Sequence, residues 1–170
     1  MMLLRDIIGH DSITGITGST DIEINRIQFD SRRVKPGNLF FAVRGTTSDG
    51  HAFIDAAIAN GASAVVCDQL PTDIEEGITF VTVVNSSVAL GVMASRFNGN
   101  PSEKIKLVGV TGTNGKTTTV TLLHELILKL GFGAGLISTI QNKINEAELP
   151  STHTTPHPLQ INELLTKMMN

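Results

Sequence analysis

The sequence predicts an α/β protein: an N-terminal mixed α/β domain over residues 1–98, followed by the start of a parallel-sheet, phosphate-loop domain over residues 103–170. Three observations predict it. Short apolar runs of strand length alternate with stretches of helical periodicity. The cluster Asn98-Gly99-Asn100-Pro101-Ser102 breaks the chain with residue types that disfavour helix and strand alike. Beyond that break, a glycine-rich turn stands between an apolar run and an amphipathic stretch.

The first part begins with a short strand, Ile27-Gln28-Phe29, ended by the polar Asp30-Ser31-Arg32-Arg33. Pro36-Gly37 signals a turn. Leu39 to Val43 is a continuous apolar run, the pattern of a buried strand. Asp49-Gly50-His51 can cap a helix whose inward face would carry Phe53, Ala56 and Ala57, with Gly61 at its C-terminal end. Strands over Ala64 to Cys67 and Ile78 to Val83 follow, then a helix over Val88 to Phe97. In the second part, a strand over Ile105 to Val110 leads through the glycine-rich turn into a helix from Lys116 to Leu130. There Leu123, Leu126, Ile127 and Leu130 keep the i, i+3, i+4, i+7 spacing, and Gly131 ends the helix. Gly135 to Thr139 is the next strand. Strand, helix, strand implies a parallel pair with a right-handed crossover. A last helix runs from Pro158 or Leu159 to Met168. Residues 103–170 thus supply about two strands, too few for a parallel sheet covered on both faces, so the chain reads as a fragment.

Composition excludes several classes. Thirteen Lys and Arg against sixteen Asp and Glu give a formal net charge of −3, no basis for binding a polyanion. Trp and Tyr are absent and there are seven Phe, a poor supply of stacking platforms for single strands. The one cysteine, Cys67, makes an internal disulfide or a Cys-based metal cluster impossible; it follows three apolar residues and reads as core. Met1-Met2-Leu3-Leu4 is cut short by Arg5 and Asp6, unlike a signal peptide. No apolar run approaches the roughly 20 residues that span a bilayer. The expectation is a soluble, cytoplasmic protein without nucleic-acid partners or membrane insertion. His51, His153 and His157 lack metal-ligand spacing with one another, and His124 reads as a solvated or half-buried helix residue.

The sharpest signal is Gly109-Val110-Thr111-Gly112-Thr113-Asn114-Gly115-Lys116-Thr117-Thr118-Thr119. Glycines let successive backbone N–H groups point at phosphate oxygens, and the helix N-terminus adds its partial positive charge. Lys116 can reach the β- and γ-phosphates of a nucleotide, and the Thr117 hydroxyl can ligate Mg²⁺. The strict pattern wants Gly six residues before the Lys, where this chain has Val110; its glycines fall at 109, 112 and 115. The loop is therefore a variant.

Thr111-Gly112-Thr113-Asn114-Gly115-Lys116-Thr117-Thr118-Thr119 resembles the ATP loop of the Mur ligases, the ATP-dependent amino-acid ligases of peptidoglycan synthesis. Upstream, Asp30 to Ala42 and Gly45 to His51 resemble that family's UDP-holding domain. Downstream, His153-Thr154-Thr155-Pro156 resembles its segment that touches the nucleotide-sugar peptide. From its residues alone Asp30-Ser31-Arg32 could be no more than a polar turn; the resemblance gives it a substrate role.

The resemblance implies ATP and Mg²⁺ as cofactors. Gly112, Thr113, Asn114, Gly115, Lys116, Thr117 and Thr118 would cradle ATP, with Lys116 catalytic and Thr117 on the metal. Ser31 would donate to the UDP-sugar with Phe29 packing nearby, and Thr46, Thr47 and Ser48 would line the uridine pocket. His153, Thr154 and Thr155 would contact the muramoyl-dipeptide; His153 stands where the family often carries Asn. The best match implies the step that adds the third amino acid, meso-diaminopimelate or L-lysine, to UDP-N-acetylmuramoyl-L-alanyl-D-glutamate through an acyl phosphate. The alternatives are the adjacent step, which joins D-alanyl-D-alanine to the UDP-muramoyl-tripeptide, and a non-catalytic UDP- and nucleotide-binding module. As a fragment the chain would be inactive by itself.

Overall fold

A computed structural model describes residues 1–9, 13–45, 48–149 and 156–169. The chain divides into two compact units, Met1–Phe97 and Asn98–Asn170. The first opens with β1 (Met2–Leu3), α1 (Leu4–Ile8), β2 (Ile13–Thr17) and β3 (Glu23–Ile24), and β1 and β3 pair antiparallel. Then come β4 (Arg26–Gln28), a 3-10 turn at Ser31–Arg33, β5 (Asn38–Phe41), a second 3-10 turn at Gly50–Phe53, α2 (Ile54–Ala59), β6 (Ala62–Cys67), β7 (Thr79–Val83) and α3 (Ser86–Phe97). The main sheet has the order β2-β7-β6-β5-β4. Strands β4 to β7 are mutually parallel, and β2 closes one edge antiparallel to β7.

The sequence pattern explains the sheet. Leu39, Phe40, Phe41, Val65, Val66, Phe80 and Val81 are all at most 1% exposed, so the central strands are covered on both faces and read as unbroken apolar runs. On one face Phe40, Val65, Cys67 and Phe80 form a core with Ile54 and Ala57 of α2. The inward residues of α2 differ from the expected set. Phe53 and Ala56 are exposed, and Ile54, Ala57 and the partly buried Ile58 face the core. The 3-10 turn that precedes α2 advances by three residues per turn, so the α-helical phase starts at Ile54. Gly61, at φ +97°, ends α2 as the sequence implies, its N–H donating to the Ile58 carbonyl at 2.8 Å.

The second unit holds α4 (Pro101–Lys104), α5 (Lys116–Lys129), β8 (Gly135–Ile137), β9 (Asn142–Ile144), β10 (Ala147–Leu149) and α6 (Pro158–Met168). Residues 105–110 do not form the expected strand, and Leu107 and Val108 are 61% and 65% exposed. The expected parallel pair is absent among the described residues: β8 pairs antiparallel with β9, and β9 with β10. Turn chemistry decides this locally. The Ser138 N–H donates to the Gln141 carbonyl at 3.1 Å, and the Ser138 hydroxyl accepts from the Ile140 and Gln141 N–H groups. Closing so short a loop costs far less chain entropy than a helical crossover. The α5 stripe also differs. Leu126 and Leu130 are 52% and 63% exposed, while His124 is buried, its Nε2 without a hydrogen-bond partner. Val120, Leu123, His124 and Ile127 line an apolar cleft of about 640 Å³ with Ile105 and Leu136.

Candidate functional site

In a parallel sheet, ligands gather outside the carboxyl ends of the strands. Phe29 and Ser31 follow β4, Ser48 follows β5 and Asp68 follows β6, so the topology carries all three segments to one edge of neighbouring strands. Asp30 caps the first 3-10 turn. Its Oδ1 accepts from the Arg32 backbone N–H at 3.1 Å and from Arg32 Nε at 2.9 Å, and its Oδ2 from Arg32 Nη2 at 2.9 Å. The Arg32 guanidinium holds the Asp30 carboxyl below the usual carboxylate range. Ser31 is thereby fixed between two locked neighbours. It is 8% exposed, and its carbonyl accepts from the Val34 N–H at 3.2 Å and from Asn60 Nδ2 at 2.9 Å. Phe29 is 39% exposed, an apolar ring at the same edge.

The segment after β5 is a tight turn: the Gly45 N–H donates to the Ser48 carbonyl at 2.9 Å, and Arg44 bridges to Asp49. Ser48 is exposed. Asp49 Oδ1 accepts from the His51 N–H at 3.0 Å and lies 2.6 Å from His51 Nδ1. The backbone and ring N–H groups of His51 lower the Asp49 pKa, with a smaller contribution from the charge of Arg44. His51 Nε2 lies 2.9 Å from Asp68 Oδ1, and Arg44 Nε lies 3.6 Å from the same oxygen. Arg44 and Asp68 escape a reading of the sequence. Asp68 follows the apolar run of β6, which offers no periodic cue to a partner seventeen residues earlier.

The glycine-rich loop enters α5 through Gly115, whose φ of +79° suits a residue without a Cβ. The Thr119 N–H donates to the Gly115 carbonyl at 2.9 Å as the first turn closes. The N–H groups of Lys116, Thr117 and Thr118 belong to the helix terminus, where intrahelical acceptors are lacking. Lys116 Nζ donates to the carbonyls of Gly112 and, at 3.3 Å, Thr113. Gly112, Thr113, Asn114, Lys116 and Thr118 are exposed and Thr117 is half-buried. A cation, free amide donors and two hydroxyls therefore converge on one helix start, the donor set that a polyphosphate takes. Thr46, Thr47, His153, Thr154 and Thr155 lie outside the described residues.

The matches to known proteins fall on the same segments. Residues 23–98 match the Mur ligase family, catalytic domain, and residues 110–170 match the Mur ligase middle domain. The chain belongs to the Mur ligase family. A UDP-N-acetylmuramoyl-L-alanyl-D-glutamate--2,6-diaminopimelate ligase of Bacteroides fragilis is 48% identical over 167 residues, covering 98% of this chain and 34% of that protein. The enzyme of the same name from Cytophaga hutchinsonii is 50% identical over 170 residues, covering 99% of the chain and 35% of the relative. This Mur ligase chain thus spans about a third of the length of the curated relatives it matches. A solved structure of a UDP-N-acetylmuramoyl-L-alanyl-D-glutamate--2,6-diaminopimelate ligase superimposes with a TM-score of 0.75 at 25% identity, covering 99% of this chain and 33% of that one. The MurF ligase of Thermotoga maritima in complex with ADP gives 0.55 at 32% identity, over 81% of this chain and 28% of that one. Among the described residues, no helix is long and apolar enough to cross a membrane.

Proposed function

We propose that this chain forms the UDP-binding domain (residues 1–98) and the first part of the ATP-binding domain (residues 103–170) of a cytoplasmic ligase. That ligase adds meso-diaminopimelate to UDP-N-acetylmuramoyl-L-alanyl-D-glutamate. The observation that carries this reading is identity near one half, over nearly the whole chain, to relatives named for that reaction. In this reading Phe29, Ser31, Thr46, Thr47 and Ser48 hold the uridine end. His153, Thr154 and Thr155 contact the muramoyl-dipeptide, and residues 112–118 hold ATP.

The chemistry is amide formation. A substrate carboxylate oxygen bonds to the γ-phosphorus of ATP as the bond to ADP breaks. The incoming amine then attacks the acyl carbon, and inorganic phosphate leaves with the acyl C–O electron pair. The obstacle is an anion approaching an anion. Lys116 and the amides at the start of α5 offset that repulsion and stabilise the charge that develops in transfer. The nucleophiles belong to the substrates, so no Ser, Cys or His nucleophile is required of the protein. The half-buried Thr117 hydroxyl, beside a cation and free amides at a helix start, fits an oxygen ligand for Mg²⁺. Bound there, the ion would neutralise phosphate charge.

The test is ADP production by a polypeptide carrying these residues at the length of its relatives. UDP-N-acetylmuramoyl-L-alanyl-D-glutamate with diaminopimelate is expected to support turnover. Activity only with lysine would replace the amino acid, and activity only with the UDP-muramoyl-tripeptide and D-alanyl-D-alanine would overturn the assignment. The 170 residues alone should release no ADP, because positioning of the amine and exclusion of water need closure around the exposed loop.

A further inference from the structure

We propose that His51 is a positioning residue for the uridine end of the substrate, working as an imidazolium that bridges the carboxylates of Asp49 and Asp68. The proposal rests on the reading that the segment after β5 lines the uridine pocket. Its basis is a contact that a neutral ring does not explain. His51 Nδ1 is 2.6 Å from Asp49 Oδ1, and Nε2 is 2.9 Å from Asp68 Oδ1. A neutral imidazole donates from one nitrogen only. If Nδ1 keeps the proton for Asp49, the Nε2 lone pair faces a carboxylate oxygen. Asp68 Oδ1 is then buried with no hydrogen-bond donor, a costly state for a charged group. A second proton on Nε2 satisfies it. The competing contact, from the Asp68 N–H to Nε2, is longer at 3.3 Å and involves no full charge.

The surroundings agree. The side chains of His51 and Asp68 are only 14% and 20% exposed, so the pair is poorly screened. The other charged groups facing the ring among the described residues are Asp49 and Arg44, whose Nε lies 3.8 Å from Asp49 Oδ2 and 3.6 Å from Asp68 Oδ1. Arg44 and an imidazolium balance two carboxylates; with a neutral ring the cluster keeps a net negative charge. That charge would sit beside the 44–49 turn, whose Gly45 to Ser48 hydrogen bond shapes one wall of the proposed pocket. UDP is itself an anion. Loss of the second proton therefore releases the turn from β6 and adds repulsion at once.

The experiment titrates the 170-residue chain, with ¹⁵N-labelled histidine, from roughly pH 5 to 8. The His51 signals are assigned by their loss in His51→Gln. Three things are followed: the ring nitrogens, the Gly45 amide resonance and UDP affinity by calorimetry. The expected result is a doubly protonated ring at the acid end. UDP affinity then falls about fivefold or more as the second proton leaves, with the Gly45 amide moving at the same midpoint. His51→Gln, which can serve only one carboxylate as donor, should bind UDP weakly with no pH dependence across that range. A ring that is neutral throughout overturns the bridge. Affinity and a Gly45 resonance that stay flat while the ring titrates overturn the positioning role. No UDP binding at any pH, with the Gly45 amide still following the ring, overturns the uridine reading and leaves the bridge supported.

Discussion

Asn60 donates its side-chain amide to the carbonyl of Ser31 at 2.9 Å, tying the end of α2 to the 3-10 turn that follows β4. The two residues are twenty-nine positions apart, and the bond is partly buried. Asn60→Ala should leave the Ser31 carbonyl with only the Val34 N–H as partner. A loss of about 1 kcal/mol in unfolding free energy is expected, together with weaker binding of the UDP-sugar. Urea denaturation and calorimetry read the two effects. Unchanged affinity despite the stability loss would show that Ser31 needs no such support.

Lys116 tests the phosphate loop. In a polypeptide of the relatives' length, Lys116→Ala should lower turnover by about 10²–10³ or more, as removal of a preorganised charge contact does. Lys116→Arg should fail as well, because a planar guanidinium does not replace a compact ammonium bonded to two loop carbonyls. Steady-state ADP release decides it, and near-normal turnover in either variant would refute the role.

Asp30 sets an acid limit on the first unit. Its carboxyl is held low, chiefly by the Arg32 side chain, so the unfolded chain takes up its proton at higher pH than the folded one. The stabilisation is complete above the ordinary carboxylate value and is lost as pH falls through the lowered folded value. Melting temperatures taken from about pH 6 to 2 should decline more steeply for the native chain than for Asp30→Asn. Parallel curves for the two would sink the assignment.

Cys67 gives the opposite sign. Burial, and then the charge of Asp68, push its thiol up to about 11. A raised value means that the folded state keeps its advantage below the ordinary thiol pKa and loses it as pH rises toward the folded value. A thiol reagent at about pH 8 should leave the native chain unmodified and label it fully in denaturant, since the thiolate is the reacting species. Rapid labelling of the native chain would contradict the burial.

The first unit was largely legible because its signals are local. Leu39 to Val43 and Ala64 to Cys67 are apolar runs that only a doubly covered strand needs, and they fall on β5 and β6. Gly61 marks the end of α2, and Gly131, at φ +85°, marks the end of α5. What failed depended on phase or on partners. A 3-10 turn rotated α2 so that Ile54 rather than Phe53 points inward. Residues 105–110 have strand composition, yet a strand exists only with a neighbour to bond to. The candidate site was readable where one segment carries it, as at Gly115-Lys116-Thr117. Asp68 and Arg44 were not, because charge pairs across adjacent strands leave no spacing in the sequence.

The chain's one cysteine lies in the sealed core beneath α2. It can therefore be left in place when spectroscopic reporters are attached. A cysteine introduced at the exposed Ser48 would be the sole accessible thiol, so a fluorophore or spin label could be coupled there without first rebuilding the interior. Its signal would then follow uridine binding at the edge where β4, β5 and β6 end.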